Sequence, residues 1–236
     1  MSLTVLRELL AGCIPRDHCR QTGSQQMLRD LVSTGSAPVE VLDYGCGDGR
    51  SIDLFKALLP AISWVGVDIE SSPEVDSRKR TDGDFFTYDG RNLPFKTESF
   101  DMVYSSQVME HVRDPEFALR EICRVLRRGG CFVGQTSQFE PYHSYSLWNF
   151  TIYGWKRIVE DAGLVLRELR PAIDGFTLME RAYRGRPTEY NKYFSCESPK
   201  NVEIEEAATS AGNSAATINF RKLMWCGQFS FICEKR

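Results

Sequence analysis

One short segment combines a carboxylate with three glycines in a pattern that suits ligand binding. Asp43 ends a short apolar run, and Gly45, Gly47 and Gly49 follow at alternate positions. Glycine reaches backbone conformations closed to other residues and lets a ligand approach the main chain closely. Because a helical pattern begins at Ser51, the segment predicts a strand–turn–helix corner that cradles a nucleotide in an open α/β sheet. The carboxylate before the glycines indicates a ligand that carries a positive charge.

Two further acidic residues come at the ends of predicted strands. Asp68 closes the second strand, where one carboxylate can accept hydrogen bonds from two neighbouring ribose hydroxyls. Asp89 follows the third strand, where it can accept from an adenine amino group. The carboxyl ends of parallel strands meet at one edge of a sheet, so the three acids together describe a ligand with an amine, a ribose and an adenine.

Two histidines follow the fourth and fifth predicted strands. His143 lies in an aromatic segment after the fifth strand and is the favoured general base, since an imidazole titrates near neutral pH. His111 is the second catalytic candidate, with a local packing role as the alternative. Tyr142, Tyr145 and Trp148 are predicted to line the acceptor site; alternatively, these aromatic side chains form a small core of their own.

Bulk composition favours a protein that handles a small molecule. The chain has 236 residues, 42% of them hydrophobic, and a net charge of -3, without the basic stripe that nucleic-acid binding needs. We expect no membrane partner, because no signal peptide begins the sequence and no apolar run approaches the ~20 residues of a membrane span. The eight cysteines include no C-x-x-C pair, which predicts free thiols in a reducing cytoplasm and no metal.

The elements that must position these residues alternate between strand and helix. Predicted strands cover residues 39–43, 62–68, 84–88, 100–105, 131–136, 164–169 and 229–233. This alternation implies an α/β fold, with a mostly parallel sheet and helices on both faces. We divide the chain into an N-terminal helical cap (1–37), a core (38–170), an insertion that can cap the substrate (171–221) and a terminal strand that completes the sheet (222–236). Within the insertion, a helix is predicted at 176–183 and a long loop at 195–216.

Several motifs occur in an order that resembles a known family. They are Leu42-Asp43-Tyr44-Gly45-Cys46-Gly47-Asp48-Gly49, Gly66-Val67-Asp68, Asn92-Leu93-Pro94-Phe95, Ser99-Phe100-Asp101-Met102-Val103-Tyr104-Ser105, Glu110-His111-Val112-Arg113-Asp114-Pro115 and the run from Leu119 to Gly130. Over residues 38–170 the chain is similar to class I S-adenosylmethionine-dependent methyltransferases of the small-molecule type (methyltransferase domain 11-like).

The resemblance implies a three-layer, Rossmann-like sheet of seven strands with the last one antiparallel. It also implies S-adenosylmethionine as cofactor, with its methionine end on the glycine loop, its ribose on Asp68 and its adenine near Asp89. The predicted donor-binding residues are Asp43, Gly45, Cys46, Gly47, Gly49, Asp68, Ile69, Asp89, Gly90 and Ser105.

The acceptor and the reaction remain open among several hypotheses. We favour methyl transfer to a hydroxyl of a sugar or secondary metabolite, with nitrogen or carbon acceptors and a donor-binding protein without transfer as alternatives. A nicotinamide-dependent oxidoreductase is less favoured, because it would carry G-x-G-x-x-G where this chain has G-x-G-x-G. The sequence does not choose an oligomeric state.

Overall fold

A computed structural model describes residues 2–34 and 39–236 of the chain. Its strands are β1 (Glu40–Tyr44), β2 (Ser63–Ile69), β3 (Asp84–Tyr88), β4 (Phe100–Ser106), β5 (Leu126–Ser137), β6 (Leu164–Pro171) and β7 (Gln228–Lys235). The predicted linker Gly35-Ser36-Ala37-Pro38 lies outside the described residues.

Helices precede the sheet, connect its strands and form the insertion. They are α1 (Leu3–Leu10), α2 (Ser24–Thr34), α3 (Ser51–Leu58), α4 (Pro73–Asp76), α5 (Pro115–Val125), α6 (Ile152–Asp161), α7 (Gly175–Tyr183), α8 (Pro199–Ser210) and α9 (Ala215–Leu223). Two 3-10 helices cover Met109–His111 and Thr188–Phe194. Within the described ranges, no helix has the length and apolar character needed to cross a membrane.

The seven strands form one sheet in the order β3-β2-β1-β4-β5-β7-β6. β1 pairs in parallel with β2 and β4, whereas β7 runs antiparallel to both β5 and β6. This arrangement confirms the predicted α/β fold, including its antiparallel last strand. The chain order reverses between β1 and β4, and ligands bind at such switch points, beyond the carboxyl ends of the strands.

Helices cover both faces of the sheet because alternate strand residues point to opposite sides. On β4, Val103 belongs to the apolar cluster shared with α5 and α6, where Trp155 is fully buried. Its neighbours Met102 and Tyr104 belong to the second cluster, shared with α2 and α3. A sheet buried on both sides holds its strand ends rigidly, so the loops at its edge have a fixed base.

The predicted loop at residues 195–216 is wrong. This segment holds α8 and the beginning of α9, and the helix predicted at 176–183 is confirmed as α7. Asn201 of α8 is fully buried and donates to the backbone oxygen of Ala172 over 2.9 Å. Lys222 of α9 is also fully buried and donates to Glu205 of α8 over 2.5 Å. Long-range polar contacts therefore hold these helices, and local apolar periodicity does not reveal such contacts.

Candidate active site

The glycine turn after β1 depends on backbone conformations that favour glycine. Gly45, Gly47 and Gly49 have φ angles of +75°, +50° and +80°, in the left-handed region. The backbone N–H groups of Gly45 and Cys46 donate to the carbonyl oxygen of Val67 on β2, over 2.9 and 3.2 Å. The turn is thereby fixed against the neighbouring strand rather than by its own side chains.

The turn also contacts the loop that follows β4. A Cβ atom on Gly45 would lie 2.4 Å from both terminal carbons of Val108, closer than real atoms approach. Val108 immediately precedes the 3-10 helix that carries His111. The position therefore requires glycine for its φ angle and for this close approach.

Asp68 ties the end of β2 to the glycine turn. Its carboxylate accepts hydrogen bonds from the backbone N–H groups of Gly47 (2.7 Å) and Ile69 (2.8 Å). The Arg78 guanidinium donates to the carbonyl oxygen of Gly47 over 2.8 Å. Burial raises the pKa of the Asp68 carboxyl above its ordinary value, and the two N–H donors oppose that shift. An ionised carboxylate has about four acceptor sites, so two remain for ribose hydroxyls.

Asp43 lies beneath the turn. It is 4% exposed and accepts a hydrogen bond from the Ser51 hydroxyl at the start of α3. Trp64 in turn donates its indole N–H to the same hydroxyl over 3.0 Å. Burial raises the pKa of Asp43 to about 7. These contacts join Asp43 to the first residue of α3, directly after the glycine turn.

The other predicted donor residues differ in exposure. Asp89 accepts hydrogen bonds from the Asn92 side-chain amide (3.0 Å) and from the backbone N–H groups of Asn92 (2.6 Å) and Arg91 (2.8 Å), and these contacts lower its carboxyl pKa. Both Asp89 and the adjoining Gly90 are exposed, and Ile69 is 41% exposed. Contact of Ile69 and Asp89 with the adenine of the donor therefore stays a prediction.

An unpaired hydroxyl at the end of β4 bears on whether this site fits a nucleoside donor. The Ser105 hydroxyl, at the end of β4, is buried without a hydrogen-bond partner among the described residues. Buried polar groups in native proteins are nearly always paired, so an orphaned hydroxyl at a strand end indicates a group reserved for a ligand. Together with the free acceptor capacity of Asp68, it makes these residues fit S-adenosylmethionine.

The two candidate catalytic histidines meet at the ends of β4 and β5. The ring centroids of His111 and His143 lie 5.3 Å apart, with the planes at 83°. His143 reaches toward two carboxylates: its Nε2 is 4.0 Å from Glu110 Oε1, and its Nδ1 is 3.7 Å from Glu140 Oε1. Burial lowers the pKa of His111 below its ordinary value. We call Glu110, His111, Glu140 and His143 the imidazole–carboxylate cluster.

Glu110 and Glu140 are not among the site residues predicted from the sequence. Glu110 is fully buried and accepts from the hydroxyls of Thr136 (3.0 Å) and Ser137 (3.2 Å). Burial raises its pKa to about 7. Ser137 also contacts Glu140 over 2.6 Å, and the Gln228 side chain donates to Glu140 over 2.8 Å. The adjacency of Glu110 to His111 was the available signal, but no sequence pattern reports its burial.

The aromatic segment after β5 lies mostly at the surface. Tyr142 and Tyr145 are 73% and 72% exposed, and Trp148 is 45% exposed. The Trp148 indole donates to the carbonyl oxygen of Val112 over 2.8 Å, which ties this segment to the β4 loop. Exposed tyrosines do not form a small core, so this alternative does not describe Tyr142 and Tyr145.

Two cavities border the insertion. The smaller, about 150 Å³, has Glu140 and His143 on one side and Leu178, Arg181 and Arg186 on the other. The larger, about 540 Å³, lies between α7, the second 3-10 helix and α8 and includes no residue of the cluster. Its lining includes Phe176, Tyr190, Tyr193 and Lys200. Because His143 lines it, the smaller cavity is the one that adjoins the favoured general base.

Comparisons with known proteins give a family match for part of the chain. Residues 42–134 match the family described as "Methyltransferase domain". The chain is 35% identical over 97 residues to the demethylmenaquinone methyltransferase of Thermotoga maritima, covering 41% of this chain and 42% of that protein. It is 31% identical over 104 residues to the malonyl-[acyl-carrier protein] O-methyltransferase of Legionella pneumophila, covering 42% of this chain and 37% of that protein. The chain thus spans less than half of the length of these relatives.

Solved structures share the fold across nearly the whole chain. The [4+2]-cyclase SpnF superposes with a TM-score of 0.58 at 20% identity, covering 99% of this chain and 92% of that chain. Phosphoethanolamine N-methyltransferase 2 of Haemonchus contortus, in complex with S-adenosylhomocysteine, gives a TM-score of 0.57 at 16% identity, covering 90% of this chain and 52% of that chain.

Residues 42–134 therefore form a methyltransferase domain, in agreement with the resemblance to class I S-adenosylmethionine-dependent methyltransferases that the motifs indicated. The expected cofactor, S-adenosylmethionine, is confirmed with it. The two relatives are named for different acceptors, demethylmenaquinone and malonyl-[acyl-carrier protein], so they leave the acceptor of this chain open.

Proposed function

We propose that this protein transfers a methyl group from S-adenosylmethionine to a hydroxyl of a small molecule. The observation that carries the proposal is the meeting of His111 and His143, from two strand ends, beside the glycine turn. Val108 contacts Gly45 on one side and leads into His111 on the other. The donor site and the imidazoles therefore share one short loop, which suits a reaction between two bound molecules.

The chemistry is an in-line displacement at the methyl carbon of a sulfonium. The acceptor oxygen forms a bond to this carbon as the carbon–sulfur bond breaks, and the enzyme mainly aligns the two and excludes water. A hydroxyl must also lose its proton during the attack. We propose that His143 accepts this proton and that His111, beside it, is the second catalytic imidazole, as the sequence predicted.

The insertion, residues 171–221, supplies one side of the proposed acceptor site. Leu178 and Arg181 of α7 border the small cavity opposite His143. Tyr142 joins the segment after β5 to the insertion, because its carbonyl oxygen accepts a hydrogen bond from Arg186 over 2.9 Å. We propose that Tyr142, Tyr145 and Trp148 bind the acceptor at this boundary, and that the acceptor is a free small molecule handled in the cytoplasm.

Donor binding and transfer can be tested separately. Calorimetry should show binding of S-adenosylhomocysteine and none of NAD; binding of NAD alone would contradict the domain's assigned cofactor. Transfer is then measured as S-adenosylhomocysteine production with matched pairs of acceptors that differ only in a hydroxyl or an amine. We expect turnover with hydroxyl acceptors.

The matched variants are His143→Gln and His18→Gln. Loss of a general base lowers the rate by about 10²–10⁴-fold, so His143→Gln should lose transfer while keeping its affinity for S-adenosylhomocysteine. His18 interacts with Asp17 and Arg170, outside the cluster, and its variant should retain both properties. Methylation of the amine partner alone, or equal rates for the two variants, would contradict the proposal.

A further inference from the structure

We propose that Glu110, His111 and His143 bind a divalent transition-metal ion. Each of the three residues offers one ligand atom, a carboxylate oxygen or an imidazole nitrogen, and these atoms all lie within 4.8 Å of one another. Ligands of one ion lie about 3–4 Å apart, given bonds of about 2.1 Å, so small side-chain rotations bring the three onto a common centre. The sequence spacing did not predict this site, because its ligands come from two separate loops.

The backbone holds the two loops together without any ion. The N–H groups of Leu147 and Trp148 both donate to the carbonyl oxygen of Glu110, over 2.7 and 3.1 Å. The ligand-bearing loop after β4 is thus attached to the segment that carries His143. A binding site that is already assembled costs little conformational entropy when the ion arrives.

The charge around Glu110 independently indicates a cation. Its carboxylate is fully buried, and a second carboxylate, that of Glu140, is linked to it through the Ser137 hydroxyl. Across residues 2–34 and 39–236, neither glutamate has a lysine or arginine partner, and His143 is the residue that pairs with both. Buried carboxylates are normally paired with a positive charge or coordinate a metal, and a neutral imidazole provides no such charge.

The mixture of ligands selects the kind of ion. Two imidazoles and one carboxylate suit Mn²⁺, Fe²⁺ or Zn²⁺, whereas Ca²⁺ and Mg²⁺ prefer oxygen ligands throughout. Three protein ligands also leave coordination positions open. The ion would be held at the boundary of the cavity that His143 and Glu140 border.

The role of the ion rests on the proposed function. An acceptor hydroxyl at an open coordination position would lose its proton more readily, because a bound cation lowers the pKa of its oxygen ligand. With the ion bound, the imidazoles would serve as ligands, and the hydroxyl proton would pass to the neighbouring Glu140 carboxylate instead of to His143. Bond formation and bond breaking at the methyl carbon stay as described above.

The test is metal binding by the full chain after treatment with a chelator, without donor or acceptor. Titration with MnCl₂ or ZnSO₄ by calorimetry, and Mn²⁺ electron paramagnetic resonance, should show one ion per chain. Glu110→Gln, His111→Ala and His143→Ala should each weaken binding at least tenfold. His18→Ala is the matched control and should bind like the wild-type protein. Circular dichroism and binding of S-adenosylhomocysteine check that each variant is folded.

Absence of stoichiometric binding, or binding that the three substitutions leave unchanged, overturns the proposal. That result leaves methyl transfer with His143 as base untouched, since the assay contains no acceptor. Conversely, a bound ion without transfer to any hydroxyl would overturn the proposed function and retain the metal site. For a variant that fails to fold, the other two substitutions provide the same test.

Discussion

The donor side and the acceptor side of the site lie at the same edge of the sheet but are built in different ways. Main-chain conformation forms the donor side, where Gly45 and Gly47 supply N–H groups and left-handed φ angles. Side chains form the acceptor side, where Glu110 depends on hydroxyls of β5 and Glu140 depends on Gln228 of β7. A site formed by backbone conformation can be recognised from a short stretch of sequence. A side-chain network cannot, because it combines residues from distant parts of the chain.

The largest effect should follow from filling the close contact between the two sides. Gly45→Ala places a Cβ atom against Val108 and imposes a left-handed φ on alanine. Overpacking costs about 1–3 kcal/mol and the φ angle about 1 kcal/mol, so we expect a loss of about 3 kcal/mol in the free energy of unfolding and at least a tenfold loss of affinity for S-adenosylhomocysteine.

Gly129→Ala is the control for this substitution. Gly129 has a φ of +74°, but a Cβ atom there meets nothing within 4 Å. Urea unfolding of both variants separates strain from overpacking. Equal losses would show that contact with Val108 contributes nothing, and that the two sides are independent.

A smaller effect is expected where the insertion is anchored. Lys222 is fully buried and donates to Glu197, Glu205 and the carbonyl oxygen of Cys19. Breaking a buried pair costs 3–5 kcal/mol, and the partial exposure of both glutamates reduces this value. We expect Lys222→Met to lower the free energy of unfolding by about 2–3 kcal/mol.

The matched control is Lys200→Met, which removes a partly exposed pair with Glu203 and a contact with the Phe176 ring, and should cost less than about 1 kcal/mol. Chemical unfolding of the two variants measures the difference. The Lys222 variant should still bind S-adenosylhomocysteine under native conditions, because its contacts lie outside the donor turn. Donor affinity that falls with stability would mean that the insertion supports the donor side as well.

Next in size is the effect of removing the carboxylate that joins β2 to the turn. Asp68→Ala removes a charged acceptor for Gly47 and the predicted partner of the ribose. Hydrogen bonds to charged groups contribute about 1.5–3 kcal/mol, which corresponds to a loss of about 10–100-fold in affinity for S-adenosylhomocysteine. Asp89→Ala should lose less, because Asp89 is exposed and engages its own turn. Calorimetry measures the affinity of both variants for S-adenosylhomocysteine. A larger loss for Asp89→Ala than for Asp68→Ala would show that the ribose does not bind at Asp68.

The smallest expected effect concerns pH. The raised pKa of Asp43, about 7, means that the folded protein holds this proton more tightly than the unfolded chain. The stability it contributes is present at low pH and is lost as the pH rises through about 7. Between about pH 6 and pH 8, the wild-type protein should lose on the order of 1–2 kcal/mol relative to Asp43→Asn.

Comparing the two proteins removes the contributions of titratable groups that do not interact with Asp43. Unfolding is measured in urea at both pH values, without donor. A difference that does not change with pH would show that Asp43 titrates as an ordinary carboxyl.

Sequence patterns predicted the sheet well because its strands are short apolar runs separated by turn residues. β3 begins and ends as predicted, and β7 extends only a few residues beyond its prediction. The donor turn could be predicted equally well, since its backbone conformation requires glycine residues. The prediction failed for α8, which carries many charged residues and is held by contacts of Asn201 and Glu205 with remote partners.

Sequence position predicted the two histidines of the imidazole–carboxylate cluster but not its two glutamates. Positions after β4 and β5 predicted that His111 and His143 lie at one edge of the sheet. The burial of Glu110 and the approach of Glu140 depend on Thr136, Ser137 and Gln228, whose roles are set by strand pairing. No local pattern distinguishes these residues from ordinary polar residues of a strand.

The position of β7 has a consequence for synthesis on the ribosome. β7 follows every other described element in the chain, yet it is inserted between β5 and β6. The donor turn and its partner strands leave the ribosome long before Gln228 does. A nascent chain can therefore assemble the donor turn early, while the acceptor side is completed only when β7 emerges and joins the sheet.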